Sequence, residues 1–128
     1  MSFHFVLKRT GWGYDDVYEA LKTGEKTSEW RDGSDHWRRR LLTKDGIRDL
    51  ERGEEIERSD IRVPSKPFLM DFPDYHWKHK KARFVVGHTK SPMLVADVTV
   101  VMYHSKTNQF EIRVENVEEV LTRGDTHE

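Results

Sequence analysis

The chain has 128 residues, 35% charged and 35% apolar, with 22 basic against 23 acidic side chains. This suits one domain with a sizeable core, and the balanced charge excludes indiscriminate polyanion binding while leaving room for a local basic patch. The absence of cysteine excludes disulfides, thiolate nucleophiles and cysteine-ligated zinc; with no membrane-length apolar run and no signal-peptide core after Met1-Ser2-Phe3, a cytoplasmic protein is expected.

Phe3 to Lys8 reads as a strand, because Phe3, Phe5 and Leu7 alternate with His4, Val6 and Lys8. Gly11 and Gly13 around Trp12 mark a turn. Tyr14, Val17, Tyr18 and Leu21 then recur at helical spacing, which predicts a helix over Tyr14–Thr23. Asp15 and Asp16 in its first turn and Lys22 in its last suit the helix dipole. Gly24 stands where a left-handed C-cap belongs. From Lys26 to Arg31 a second strand is expected, with Thr27, Glu29 and Arg31 on one face and Ser28 and Trp30 on the other. Two readings of this stretch stand side by side. Lys26, Glu29 and Arg31 either line a polar pocket or form a solvated turn with a surface ion pair of little energetic weight.

The spacing Gly24-x-Lys26-x-x-x-x-Arg31 resembles the GxKxxxxR signature of the ASCH domain, a branch of the PUA-like superfamily. The fuller family form is matched at Gly24, Glu25, Lys26, Thr27, Glu29 and Arg31. A weaker resemblance lies in Arg83-Phe84-Val85-Val86-Gly87-His88-Thr89-Lys90 followed by Val95 to Val101, which is similar to the glycine turn and late strand of these domains. About five or six strands with one firm helix near the N-terminus suit an α+β, mostly β fold, either a small barrel or an open sheet; the resemblance implies the small PUA-like β-barrel. The domain would span residues 1–122, and 123–128 would be a polar tail.

Further along, Asp32-Gly33-Ser34-Asp35 breaks the second strand. Trp37-Arg38-Arg39-Arg40 is either a phosphate-contacting and base-stacking run or a solvated face. Lys44-Asp45-Gly46 permits a hairpin, but Thr43 as N-cap with Ile47 and Leu50 one turn apart favours a short helix ending at Gly53. Glu51 to Arg62 alternates charge and should lie on the surface, with Ile56 and Ile61 touching the core. Gly53-Glu54-Glu55-Ile56 would be the counterpart of the family's next strand entry. Pro64, Pro67 and Pro73 isolate Phe68–Phe72 as a short extended segment. Asp74 to Arg83 is a second basic and aromatic cluster, read either as a nucleic-acid surface or as a solvated segment. His76 and His79 have the spacing of two metal ligands, but no third ligand is evident and no metal is expected.

Ala82 to Gly87 reads as a strand, 87–92 as a turn, and Met93–His104 as a long strand with both faces largely buried. Ser105 to Asn108 turns the chain into a partner strand. There Phe110, Ile112 and Val114 alternate with Glu111, Arg113 and Glu115. Asn116 to Leu121 is either a last strand or a helical turn.

What the resemblance implies about function is RNA, nucleotide or modified-base binding in a cleft formed by Gly24, Lys26, Thr27, Glu29 and Arg31. Trp37, Arg38, Arg40, Trp77, Lys78, Lys80, Lys81, Arg83, His88 and Lys90 are candidate nucleic-acid contacts, and no cofactor is expected. Some relatives are amidohydrolases acting on acetylcytidine with the signature lysine, which would make Lys26 and Glu29 catalytic. A lysine beside a carboxylate in a dry pocket can indeed exchange protons or become nucleophilic. That chemistry needs a further glutamate from later in the chain; Glu111 and Glu115 are the available ones. A ribonuclease or a protein-interaction module ranks below these readings.

Overall fold

The computed structural model describes residues 1–7, 14–59, 67–87 and 92–121. The elements run β1 (Phe3–Leu7), α1 (Tyr14–Thr23), β2 (Ser28–Asp32), α2 (Asp35–Leu41), α3 (Lys44–Ser59) and β3 (Leu69–Asp71). A 3₁₀ turn (Asp74–His76), β4 (Lys81–Val86), β5 (Met93–His104) and β6 (Gln109–Val120) complete them. The fold is α+β with strands predominating. Strand order is β1-β4-β5-β6-β2, with β3 pairing on β5. β1 runs parallel to β4, whereas β3 and β4 are each antiparallel to β5. No helix among the described residues is long and apolar enough to cross a membrane.

Contacts divide the chain into two compact units, and β5 and β6 each contribute a segment to both. The first unit holds Met1–Ser28, His79–Thr99 and Arg113–Glu128. Alternation in β1 works as expected: Phe3, Phe5 and Leu7 are buried while His4 and Val6 are exposed. Parallel register sets Phe5 beside Phe84, and their rings stack with centroids 5.3 Å apart. α1 packs on β1 and β4 through Tyr18 and Leu21. The buried Tyr18 hydroxyl donates to Glu119 Oε2 at 2.8 Å, and Lys22 Nζ lies 3.3 Å from Glu119 Oε1. Gly24 takes φ +83°, the left-handed dihedral that ends a helix cheaply only at glycine. The reversal lets the Lys26 N–H donate back to the Ala20 carbonyl at 2.9 Å.

The second unit holds Glu29–Lys78 and Val100–Ile112. Its core includes Leu41, Leu42, Leu50, Phe72, Trp77, Tyr103, Phe110 and Ile112. The arginine run is helical: Ser34 caps α2 by accepting the Trp37 N–H, and Arg38 to Arg40 occupy the last turn, where the dipole favours cations. Arg38 Nε donates to the Gly33 carbonyl at 2.8 Å, and its two terminal nitrogens fork onto Glu54 at 2.6 and 3.0 Å. The guanidinium also lies 5.6 Å from the Tyr103 ring centroid.

The helical alternative after Thr43 is the one realised, with the Gly46 N–H donating to Thr43 Oγ1 at 3.2 Å. Unlike the expected short helix, α3 continues through Gly53 to Ser59. Gly53 does not stop it, because the glycine serves close packing: a Cβ there would lie 2.6 Å from Met70 Cε. Gly53 to Ile56 are therefore helical and not a strand entry, and Ile56, expected at the core, is 64% exposed. Ile61 lies outside the described residues. The long strand is as bounded from the sequence, but neither face is buried throughout: Leu94, Ala96 and Val98 are buried in its first half, Val101 and Tyr103 on the alternate positions in its second, and Thr99 between them is exposed. Asn116 to Val120 continue β6 as strand, with Asn116 at φ +54°.

Two glycines in α3 predict opposite outcomes. Ala favours a helix interior over Gly by about 1 kcal/mol. At Gly46 the new Cβ would sit 2.8 Å from the His76 carbonyl oxygen, a backbone atom, and overpacking costs about 1–3 kcal/mol. Gly46→Ala should lower the urea midpoint. At Gly53 the obstacle is the flexible tip of Met70, so Gly53→Ala should leave the midpoint unchanged or raise it.

Two tyrosines predict the alkaline behaviour. Burial, then the bond to Glu119, raises the Tyr18 phenol well above its usual value, and burial raises Tyr103. Folded-state values above unfolded ones give stability that is complete below about pH 10 and lost as pH rises through the folded values. Urea midpoints should fall as pH rises above about 10, and Tyr18→Phe should flatten that decline.

Candidate functional site

β2 carries two buried-side residues of the signature. Glu29 is 6% exposed, unusual for a carboxylate, and its Oε1 lies 3.0 Å from Arg31 Nη1. That nitrogen also donates to the Trp30 carbonyl at 2.7 Å. Glu29 and Arg31 share a face, as strand alternation requires. The pair is thus not the exposed surface contact that the blander reading envisaged. With side-chain exposures of 7% and 17%, it sits where screening by water is weak.

α2 supplies the other half of this cluster. The Arg31 guanidinium carbon lies 5.1 Å from the centroid of the Trp37 ring, and that of Arg40 lies 5.7 Å from the same centroid. His36 meets Trp37 edge-on at 5.4 Å. Arg39 and Arg40 are exposed and Trp37 is half-buried. Four expected site residues (Glu29, Arg31, Trp37 and Arg40) are therefore brought together on β2 and α2. Guanidinium groups over an indole are held by cation–π attraction, and the exposed Arg40 can turn its N–H fork toward a phosphate.

The other expected residues fall elsewhere. Arg38 is taken up by Glu54 and Gly33. Trp77 is 7% exposed, and its indole N–H donates to the Phe72 carbonyl at 3.0 Å, so its ring is a core anchor and not a stacking surface. Lys78 is exposed. Gly24, Lys26, Thr27, Lys80, Lys81 and Arg83 belong to the first unit. There Lys26 is half-buried, Thr27, Lys80 and Arg83 are exposed, and Lys81 pairs with Asp97. The Lys81 ammonium, then the Asn116 amide, lowers the Asp97 carboxyl below its usual range. His88 and Lys90 lie outside the described residues. His76 and His79 are divided between the units: His76 Nδ1 lies 3.2 Å from Asp49 Oδ2, and the His79 ring meets Phe3 edge-on. Among the described residues no group of three or more His, Asp or Glu side chains could hold a metal.

The two later glutamates differ in burial, and Glu115 is exposed. Glu111 is buried at 7% exposure, and its Oε1 lies 2.9 Å from His104 Nε2. The His104 ring in turn packs on Trp30 with centroids 4.8 Å apart. Trp30 projects from β2 on the side opposite Glu29 and Arg31, so the two buried carboxylates lie on opposite faces of the sheet. His104 was missed by the sequence reading. Its signal was positional: it and Glu111 flank the turn at Ser105–Asn108, and residues flanking a tight turn come together across a hairpin.

No family model, curated protein or solved structure matches this chain.

The burial of the Glu29–Arg31 pair predicts a thermodynamic signature. Removing one partner of a buried pair costs about 3–5 kcal/mol, whereas replacing both with apolar groups is often neutral. Arg31→Leu should therefore destabilise strongly in urea titrations, and Glu29→Leu combined with Arg31→Leu should recover most of that loss.

Proposed function

We propose that the chain is an ASCH-like domain of PUA-like β-barrel architecture that binds RNA, or a single nucleotide or base, in a cytosolic setting. The observation that carries the reading is the convergence of Arg31 and Arg40 on Trp37, at 5.1 and 5.7 Å from its ring centroid. Unpaired bases stack on aromatic rings and on guanidinium planes, and arginine forks match phosphate oxygens. The buried Glu29 holds Arg31 by its Nη1, which sets the plane of the guanidinium instead of leaving it to swing. The signature glycine also takes the dihedral that only glycine adopts freely, which supports the resemblance.

A single strand with about three phosphate contacts should lose roughly 50- to 100-fold in affinity between about 25 and 200 mM salt. Fluorescence anisotropy with a labelled single-stranded RNA measures this. Arg40→Ala, exposed and outside the core, should weaken binding by about tenfold through a lost charge-assisted contact. Trp37→Leu should do the same by removing a stacking face. Absence of binding at low salt, or affinity unmoved by both substitutions, would overturn the reading. Turnover of acetylcytidine that disappears in Lys26→Ala would instead favour the amidohydrolase class.

A further inference from the structure

The opposite face of β2 carries a cluster that RNA contact through Arg31 and Arg40 does not use. On an outward-facing strand row, charged residues normally reach water, as Arg113 and Glu115 do on β6. Glu111 does not. Burying a carboxylate costs free energy unless it is bonded, and a threonine or valine would occupy the position more cheaply. The carboxylate is instead held by an imidazole that itself packs on an indole.

Its bond to His104 has a chemical consequence. With the Glu111 oxygen as acceptor, His104 Nε2 is the donor of the 2.9 Å contact. In that tautomer Nδ1 is the ring's acceptor, oriented by the buried partner. The His104 side chain is 23% exposed. Beside it, Trp30 leaves 37% of its surface in water, an exposed aromatic next to an oriented acceptor. Together they offer one stacking surface and one hydrogen-bond acceptor.

We propose that Trp30, His104 and Glu111 form a binding site for a planar heteroaromatic ring that carries an exocyclic amine. The ring stacks on Trp30, the amine donates to His104 Nδ1, and Glu111 is a positioning residue that fixes the imidazole tautomer. This does not rest on the RNA reading, since it uses the other face of β2 and needs no phosphate.

Adenosine is a suitable probe, because it has the amine and no phosphate; its analogue with that amine dimethylated is the control. Titration followed by NMR should shift the Trp30 indole N–H resonance, assigned from a Trp30→Phe variant. The dimethylated analogue should bind about tenfold more weakly, the equivalent of one hydrogen bond. Trp30→Leu, which keeps an apolar cover over the histidine, should weaken adenosine by a similar factor. His104→Gln should erase the difference between the two nucleosides; if that variant does not fold, the analogue comparison on the unaltered protein decides alone. No shift at about millimolar adenosine, a typical weak-binding range, or equal affinity for the two nucleosides would overturn the proposal. Adenosine binding without RNA affinity would sink only the RNA reading.

Discussion

The second unit depends on one guanidinium. Arg38 projects from the last turn of α2, clamps the Glu54 carboxylate of α3 with two parallel bonds, and holds the Gly33 carbonyl with its third nitrogen. Its guanidinium carbon lies over the Tyr103 ring of β5. Two helices, the loop entering α2 and the sheet are thereby fixed to one side chain that is only 14% exposed. The bond to Glu54, ahead of the opposing effect of burial, holds the guanidinium protonated even more firmly than usual. Lysine could supply the charge but not the three directions, so the geometry is specific to arginine.

That clamp decides what its neighbours can do. Successive residues on a helix point about 100° apart, so fixing Arg38 inward turns Arg39 and Arg40 outward. Trp37 is held at the side of α2 against Arg31. A run that reads in one dimension as three equivalent cations divides into one structural arginine and two accessible ones. The same division operates on β2, where alternation assigns Glu29 and Arg31 to one face and Trp30 to the other. Two chemically different surfaces therefore arise from adjacent residues of a five-residue strand.

Local periodicity made much of the fold legible. The bounds of α1 and β5 and the capping of α3 by Thr43 follow from spacing and cap chemistry, because those signals act within a few residues. What was not legible depends on partners distant in sequence. Gly53 looks like a helix stop until Met70 is placed against it. Trp77 looks like a stacking residue until its N–H finds the Phe72 carbonyl. Glu111 looks like an exposed strand residue until His104, which packs on Trp30, is placed against it. The site was legible in the same measure: the shared face of Glu29 and Arg31 came from alternation, whereas their burial and the approach to Trp37 required the helix to be placed.

The division of β2 into two faces also bears on catalysis. A lysine–carboxylate mechanism gains from groups that share one desolvated space, because low dielectric couples their protonation. Glu29 and Glu111 are the two buried charged side chains among the described residues, yet the sheet stands between them. Each is instead committed to a basic partner on its own face, Arg31 for one and His104 for the other. Two carboxylates sharing one site would raise each other's proton affinity; kept on opposite faces, each orients its partner. In the proposed binding role, the guanidinium and the imidazole so oriented each present their donors and acceptors to a ligand from their own face.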